Sequence, residues 1–373
     1  MKFGTGQSIK RQEDVRFVTG SGQFTDDIKL PNEAHGYVVR SPHAHAKLGK
    51  IDASEALKMP GVLAVVTAKD LAAAGVGNLQ SMGGLPEGDG VPLALPKTPQ
   101  PILAGTRVRY VGAPIAFVVA DTLVHARDAA ELVNIDYEEL PAVGTMAAAI
   151  APGAPLVWDE VKGNLVYDWA AGDKKAVQEA FAKAAFVAEA STHQNRVIAL
   201  SMEARAAVGA YDPGSDQYSL RATTQGANGV QANVAAILGI KQDKLRVITT
   251  DVGGGFGMKL FTYPEYAMVC AAARLVKRPV KWTSDRSESF LADCHGRDLE
   301  GKARLALDKD GRILALEIDN YSDLGAYQSE FGAFIGVGAA AVWGGAYKVP
   351  AVYGRVRGVF TNTMAVDAYR GAG

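Results

Sequence analysis

The stretch DVGGGFGMK, residues 251–259, places four glycines around a single aromatic residue, Phe256. Glycine loses more backbone entropy on folding than any other residue, so core packing gives no reason to gather so many in one place. The preceding residues KLRVITT, 244–250, have the β-branched composition of a strand. The pattern therefore predicts a strand that runs into a loop whose backbone amides are unscreened by side chains.

The two common phosphate-binding motifs do not fit this loop. In a dinucleotide fingerprint, Gly253 and Gly255 would match the first two glycines, but the third position falls on Met258. A Walker A loop needs Ser or Thr after its Gly-Lys pair, and the sequence there is Met-Lys-Leu. Two interpretations remain open. The amides bind an anion or a metal-bound oxygen, or the glycines form a turn at a close contact between a helix and a strand.

Length and composition limit the class of protein. A chain of 373 residues indicates two or three domains, and a net charge of -1 gives no basic excess for binding nucleic acid. No secretory signal or membrane span is predicted, which favours the cytoplasm. The only cysteines are Cys270 and Cys294, so an iron–sulfur cluster needing four cysteines must lie on another chain.

The N-terminal third has the alternating pattern of a small α/β unit. Strands are predicted at 36–41, 61–67, 114–120 and 132–138, with a helix over 121–131 that begins at Asp121 as its N-cap. Two stretches rich in Gly, Pro and small residues interrupt or follow this unit. We expect 75–106 to be a long surface loop and 141–164 to be a linker at a domain boundary.

The remainder of the chain also mixes helices and strands. The predicted order is a helix and strand over 176–191, a strand at 218–225, a helix at 228–240, the strand before the glycine run, a helix, turn and strand over 263–285, and a hairpin over 302–323. The hairpin turns at Asp310 and Gly311. The predicted fold class is therefore α+β, or mixed α/β.

Several motifs in this order resemble the molybdenum-binding large subunit of the xanthine oxidase and aldehyde oxidoreductase family of molybdenum hydroxylases, in its carbon monoxide dehydrogenase-like branch. They are KRQEDVRFVTGSGQFTDDI (10–28), RSPHAHAK (40–47), VRYVGAPIAFVVAD (108–121), MEARAAVGAYDP (202–213), VGGGFGMKLFTYPEY (252–266) and YRGAG (369–373). The resemblance implies the N-terminal half of that subunit, with an α/β hammerhead domain over 1–145. The first part of a molybdopterin-binding domain would then occupy 146–373.

The resemblance also implies a set of cofactor-binding residues. Gln225 matches the glutamine that hydrogen-bonds the molybdenum oxo group, and Phe256 with Gly257 matches the pair beside the metal. Arg370 matches the arginine that contacts the pterin, and the neighbouring Gly226 and Gly255 complete the implied set of cofactor-binding residues. The N–H of Gly257 is expected to face the cofactor, and a side chain there would crowd the metal while leaving the fold largely intact. No protein ligand to the metal is implied.

The implied activity is oxidation of an aldehyde, or hydroxylation of an N-heterocycle, with water as the oxygen source. The implied cofactor is molybdopterin, in the cytosine dinucleotide form. The implied partners are the C-terminal half of the large subunit, which would carry the catalytic glutamate, an iron–sulfur small subunit with [2Fe-2S] clusters and an FAD-binding medium subunit. The chain alone would then be inactive. The alternative is a cofactor-free structural or assembly module of the same fold, against which the retention of Gln225, Phe256, Gly257 and Arg370 argues.

Departures from the family pattern narrow the implied substrate. Gly371 stands where carbon monoxide dehydrogenases carry a copper-bridging cysteine. Leu260 stands where xanthine enzymes carry a purine-binding glutamate, whose arginine partner would fall near Gly338, and Ala372 stands at a position that can carry a ring-stacking Phe. Aldehydes therefore remain as the first candidate substrates, and extended N-heterocycles remain as the second. Glu203 and Asp251 could hydrogen-bond the residues that hold the cofactor, but we expect salt bridges instead, for instance with Arg205 or another nearby arginine.

Overall fold

The computed structural model describes residues 6–81, 84–88 and 95–371. Its helices are α1 Asp14–Val18, α2 Ala68–Ala73, α3 Leu123–Ala130, α4 Met146–Ala149, α5 Lys174–Lys183, α6 Ala227–Ile237, α7 Pro264–Val276, α8 Arg286–Ala292 and α9 Gly332–Gly338. None of these described helices has the length and hydrophobicity that a bilayer crossing requires.

The strands are, in chain order, β1 Ala34–Arg40, β2 Ala46–Asp52, β3 Val62–Thr67, β4 Arg107–Val108, β5 Pro114–Ala120, β6 Asn134–Glu139, β7 Leu165–Gly172, β8 Phe186–Gln194, β9 Val197–Ile198, β10 Ala206–Asp212, β11 Gln217–Ala222, β12 Leu245–Ile248, β13 Val280–Thr283, β14 His295–Gly296, β15 Leu299–Leu307, β16 Ile313–Asp323 and β17 Ala351–Val359. Helices and strands alternate along much of the chain. The predicted α+β class is confirmed.

The largest sheet joins strands from the two parts of the chain. Its order is β12-β11-β10-β13-β1-β5-β3. The junction is a parallel pair in which Ala34 of β1 lies opposite Val280 of β13. Strands that precede and follow the predicted linker therefore share one hydrogen-bonded sheet.

Strand β5 forms the centre of the N-terminal core. All seven of its residues are buried, and β1 and β3 pair with it in antiparallel fashion. A strand covered on both faces has a continuous apolar sequence, which explains why PIAFVVA lacks alternation. Gly36 of β1 lies under the Phe117 ring, where a Cβ would come within 2.0 Å of the ring's Cζ. The strand predicted at 114–120 is confirmed with the same bounds.

The other large sheet has the order β7-β17-β16-β15-β8 and is built around the predicted hairpin. Strands β15 and β16 pair in antiparallel fashion, and the N–H of Asp308 donates to the carbonyl of Arg312 at 3.0 Å. Gly311 has a φ of +79°, which explains the glycine in this turn. The hairpin prediction is confirmed.

A buried network of charges joins helix α7 to the large sheet. Arg205 is fully buried, and its guanidinium bonds Glu265 at 3.0 Å and Asp293 at 2.6 Å. Arg40 binds the other oxygen of Glu265 at 2.7 Å. Burial alone would raise the pKa of Glu265, but the charges of Arg205 and Arg40 lower it below its usual value. The network is therefore ionised and internally paired.

The segment 141–164, expected to be a loose linker, is packed into the core. Val143 and Met146 are buried, and the indole Nε1 of Trp158 donates to the carbonyl of Ala326 at 2.8 Å. Asn164 is fully buried, and its Oδ1 accepts from the main-chain N–H of Val157. The segment has little regular structure, as Pro and Gly indicate, but irregular backbone can still be buried when its polar groups are paired.

Two smaller predictions also need correction. The described residues of 75–106 contain no helix or strand, as expected for a loop, but 102–104 are buried rather than at the surface. Helix α3 is confirmed, yet its N-cap is Thr122, whose Oγ1 accepts from the N–H of His125. Asp121 instead bonds the His125 ring at 2.6 Å, because its side chain is one position too early to reach the first free N–H groups.

Candidate functional site

Two neighbouring parallel strands carry the candidate site at their carboxyl ends. Strands β11 and β12 pair in parallel, with Tyr218 opposite Leu245. Gln225 follows the end of β11, and the glycine run follows the end of β12. Ligands of open α/β sheets bind outside the carboxyl ends of the strands. The pairing therefore places Gln225 and the glycine run together at the edge where a ligand is expected.

The carboxamide of Gln225 is fixed by the glycine run itself. Its Oε1 accepts the N–H of Gly257 at 2.8 Å, and its main-chain N–H donates to the carbonyl of Lys259 at 2.9 Å. A Cβ at Gly255 would lie 2.5 Å from Cδ of Gln225. Gly255 thus lacks a side chain because the carboxamide of Gln225 occupies that space.

Gly257 lies against the loop that contains Arg370. Its φ is +92°, and a Cβ would be 2.8 Å from the carbonyl oxygen of Ala368. Two expectations are therefore corrected: the N–H of Gly257 is bonded to Gln225, and a side chain would clash with the backbone of Ala368 rather than leave the fold intact. The sequence could not indicate this because the contact joins segments that are more than a hundred residues apart.

Phe256 and Arg370 are joined by main chain and side chain. The carbonyl of Phe256 accepts the N–H of Arg370 at 2.7 Å, and the Arg370 guanidinium carbon lies 4.6 Å from the centre of the phenyl ring. Such a cation–π contact orients the charge of Arg370. Phe256 has a φ of +54° and is 37% exposed. The backbone of Phe256 is therefore strained, and its side chain is partly exposed at the surface of the chain.

The structure brings most of the predicted residues into one cluster. Gln225, Gly255, Phe256, Gly257 and Arg370 contact one another through the pairs described above. The sixth predicted residue, Gly226, takes no part in these contacts. Gly226 is the N-cap of α6, and its N–H donates to Oγ1 of Thr224 at 3.1 Å.

A buried ion pair between Lys259 and Glu203 contacts the glycine run and holds it in place. Lys259 is fully buried, and its Nζ donates to the carbonyl of Glu203 at 2.8 Å and to Oε2 of Glu203 at 2.9 Å. The same Oε2 accepts the N–H of Gly253 at 2.7 Å. Burial lowers the pKa of Lys259 although the Glu203 charge opposes this effect. The sequence did not predict a role for Lys259. The one indication was the position of a lysine at the end of the glycine-rich run.

The salt-bridge predictions for the two nearby acids have different outcomes. Asp251 pairs with Arg16, so its prediction is confirmed. Glu203 does form a salt bridge, but the partner is Lys259 rather than an arginine. Arg205, the candidate partner two residues further along the chain, is buried in the network around Glu265.

The exposed polar groups of the cluster are hydrogen-bond donors. Gln225 is exposed and its Oε1 accepts from Gly257, so its NH₂ group supplies the donors that remain on this carboxamide. Arg370 is exposed and adds a cation. A neutral donor and a cation suit a ligand that is rich in oxygen and negatively charged, as molybdopterin is. Across the described residues, no group of three or more His, Cys, Asp or Glu side chains could hold a metal ion.

The residues expected to limit the substrate are placed as follows. Leu260 is 39% exposed, and its main-chain N–H donates to the carbonyl of Gly257 at 2.9 Å, so it lies beside the cluster. Gly371 is exposed with a φ of +74°, and its Cβ position has no heavy atom within 4 Å. Gly338 is the last residue of α9. Ala372 lies outside the described residues.

Known proteins share both sequence and fold with this chain. It is 34% identical, over 98% of its length, to the carbon monoxide dehydrogenase large chain of Afipia carboxidovorans. It is 34% identical, over 99% of its length, to the nicotine 6-hydroxylase large subunit of Paenarthrobacter nicotinovorans. The crystal structure of quinoline 2-oxidoreductase from Pseudomonas putida 86 matches 99% of the chain with a TM-score of 0.88 and 37% identity. The chain spans 46%, 44% and 46% of these three proteins, respectively.

Family models divide the match into two parts. The α/β hammerhead domain of aldehyde oxidase and xanthine dehydrogenase matches residues 19–141. The molybdopterin cofactor-binding domain matches residues 157–373, which is more than half of the chain and includes the whole candidate site. The chain therefore belongs to the xanthine oxidase family of molybdenum hydroxylases, and it spans slightly less than half the length of the relatives described above.

Proposed function

We propose that this chain forms one wall of a molybdopterin site in a multisubunit molybdenum hydroxylase. The observation that carries the proposal is the convergence of Gln225, Phe256, Gly257 and Arg370 at the carboxyl ends of β11 and β12. The residues that the family pattern assigns to the cofactor are distant in sequence, yet they are joined by bonds of 2.8 Å and 2.7 Å. A cofactor-free module of the same fold would have no need to keep these contacts.

When bound, molybdopterin supplies the two-electron redox chemistry. The part of Gln225 is to donate a hydrogen bond from Nε2 to an oxygen of the cofactor. The N–H of Gly257 holds Oε1, and this bond fixes which end of the carboxamide faces the ligand. A neutral, preoriented donor polarises an oxygen without neutralising it.

Arg370 is proposed to contact the pterin. Its guanidinium is held over the Phe256 ring at 4.6 Å, so its charge is oriented before the cofactor binds. Its main-chain N–H is bonded to Phe256 and is not available to the ligand. The side chain of Arg370, rather than its backbone, is therefore the binding group.

Aldehydes are the first proposed substrates, and extended N-heterocycles are the second. Gly371 has no side chain that could hold copper. Leu260 offers an apolar surface beside the cluster where a carboxylate would be needed to hydrogen-bond a purine. An apolar wall suits the hydrocarbon part of an aldehyde or of a fused ring system. Water is the proposed source of the oxygen atom.

The complete enzyme is proposed to contain further chains. The remaining part of the large subunit would carry the glutamate that acts as general base and would close the cofactor site. A small subunit with [2Fe-2S] clusters and a medium subunit with FAD would remove the electrons. The cofactor is proposed to be the cytosine dinucleotide form, and the complex is proposed to be cytoplasmic.

The test is metal and substrate analysis of the chain purified with its partner subunits. We expect stoichiometric molybdenum, release of a cytosine nucleotide from the pterin, and turnover in a screen of aliphatic aldehydes, aromatic aldehydes and N-heterocycles. An intact, folded complex that contains no molybdenum would overturn the proposal and favour the cofactor-free module. Turnover of N-heterocycles alone would retain the cofactor site and reverse the order of the two substrate classes.

A further inference from the structure

A second arginine holds the loop that carries Arg370. Nη1 of Arg297 donates to the carbonyl of Tyr369 at 2.5 Å, and Nη2 donates to the carbonyl of Arg370 at 3.1 Å. The guanidinium carbon also lies 5.2 Å from the centre of the Tyr369 ring. The planar fork of arginine suits two acceptors placed side by side, whereas lysine presents a single point charge. None of the motifs that indicate the family role of this chain includes Arg297.

The backbone around Arg297 is strained. Arg297 has a φ of +66° and the next residue, Asp298, has a φ of +61°. A left-handed conformation is uncommon for a residue with a side chain, and two in succession persist only when surrounding contacts impose them. Strain of this kind accumulates at sites where a side chain must be aimed in a particular direction.

The surrounding contacts connect this strained turn to the Arg370 loop. The N–H of Asp367 donates to the carbonyl of His295 at 2.8 Å, so the chain leading into the turn runs alongside the chain leading into the loop. Arg196 pairs with Asp298 at 2.7 Å and also donates to the carbonyl of Met364 at 2.8 Å. The residues on either side of Arg297 are therefore tied to the chain that leads into the Arg370 loop.

The Arg370 loop needs such support because its own conformation is unusual. Arg370 has a φ of +36° and Gly371 has a φ of +74°, and both residues are exposed. The bond from the N–H of Arg370 to Phe256 holds one side of the loop. The two carbonyls on its other side are held by Arg297.

We propose that Arg297 is a positioning residue for the cofactor loop. By binding the carbonyls of Tyr369 and Arg370, it keeps the Arg370 N–H on Phe256 and keeps the Arg370 guanidinium over the Phe256 ring. Its effect on the pterin site rests on the proposed function. Its effect on the loop does not, so the two can be tested separately.

The first test is amide hydrogen exchange in the protein assembled with its partner subunits. Arg297→Met removes the guanidinium group. It should raise the exchange rate of the Arg370 amide about tenfold, because the two charge-assisted hydrogen bonds to the loop carbonyls are lost. Arg297→Lys should restore part of the protection, since an ammonium group can bind one of the two carbonyls. The matched control is Arg304→Met, which removes an exposed arginine that pairs with Glu317 at 2.8 Å on β16, and it should leave that exchange unchanged.

The second test separates positioning from folding in the molybdenum-loaded enzyme. Arg297→Met should lower kcat about tenfold at unchanged molybdenum content and melting temperature, and Arg297→Lys should have a smaller effect. Unchanged exchange of the Arg370 amide in the Lys and Met variants would overturn the proposal. If Arg297→Met does not fold, the Lys variant alone decides. A complex without molybdenum would overturn the proposed function, while the exchange measurement would still decide the role of Arg297.

Discussion

Of the arginines that lie over aromatic rings, Arg205 and Arg370 stand in regions with opposite properties. Arg205 is fully buried, lies 3.6 Å from the Tyr263 ring centre, and is paired with Glu265. Arg370 is exposed over Phe256, and within the described residues no carboxylate pairs with it. The first charge is satisfied inside the protein, whereas the second is oriented but available. This difference separates a group that maintains the fold from a group that can bind a ligand.

The backbones of the two regions differ in the same way. Glu265 lies near the start of α7, a regular helix of 13 residues whose end at Lys277 is a single left-handed residue. The candidate site is held on loops, where Phe256, Gly257 and Arg370 all have positive φ. Glu265 and Arg40 of the buried network lie in regular structure, whereas strained loops carry the exposed donors of the site. Substitutions in the two regions should therefore affect different properties.

The largest effect is expected in the buried network. Arg205→Met should lower the free energy of unfolding by about 3–5 kcal/mol, because it leaves buried carboxylates without their partner. Chemical denaturation of the purified protein measures this change. Arg304→Met, which removes exposed ion pairs, should change stability by less than about 1 kcal/mol. Equal losses in the two variants would contradict the contrast between the regions.

The next largest effect is expected from a substitution at Gln225, which should lower turnover and leave the melting temperature almost unchanged. Gln225→Ala should lower kcat of the assembled enzyme by about ten- to a thousand-fold, by loss of a preoriented donor to the cofactor. Steady-state kinetics and a melting curve on the same sample measure both properties. Gln242→Ala removes an exposed glutamine that bonds Gln231 at 3.3 Å and should behave as wild type. A Gln225→Ala enzyme with normal kcat would remove the proposed role of this carboxamide.

Two glycine substitutions separate the cost of a positive φ alone from the cost of a positive φ combined with a steric clash. Gly257→Ala should lower the free energy of unfolding by about 1–3 kcal/mol, because it adds a methyl group 2.8 Å from the carbonyl of Ala368 to a left-handed residue. Gly311→Ala, at a φ of +79° with no heavy atom within 4 Å of its Cβ position, should cost only about 1 kcal/mol. Denaturation of both variants measures the difference. If Gly257→Ala is the less harmful change, the Ala368 loop does not lie where the structure places it.

A smaller effect is expected from acid. The pKa of Glu265 is lowered in the folded chain from its usual 4.5, because the attraction of Arg205 and Arg40 exceeds the effect of burial. Its ion pairs therefore stabilise the fold above pH 4.5, and this stabilisation is lost as pH falls through the lowered pKa. The difference in unfolding free energy between wild type and Glu265→Gln should shrink over that range. A difference that stays constant down to the lowest accessible pH would indicate that Glu265 is not the titrating group.

The sequence predicted local structure better than it predicted contacts between distant residues. The strand at 114–120 and the hairpin at Asp310 and Gly311 depend on local composition, so their prediction was accurate. The grouping of Gln225 with the glycine run also follows from two strands whose pattern is clear. The predicted roles of these residues at the cofactor stay predictions.

What the sequence did not reveal depends on distant partners. The close approach of the Ala368 carbonyl to Gly257 and the hydrogen bond from Arg297 to Tyr369 both join residues that are far apart along the chain. Positive φ at Arg297 cannot be read from an arginine, because the conformation is imposed by its neighbours. The buried linker shows the same limit, since the composition of 141–164 indicates irregular backbone but gives no information about what covers it.

The most direct test is a structure of the chain assembled with all its subunits, with anomalous diffraction measured at the molybdenum edge. The proposed function predicts an anomalous peak whose ligands lie within hydrogen-bonding distance of Nε2 of Gln225, with the pterin against Arg370. A complete assembly in which the protein's own side chains fill the space beside Phe256 and Gly257, with no such peak, would contradict it.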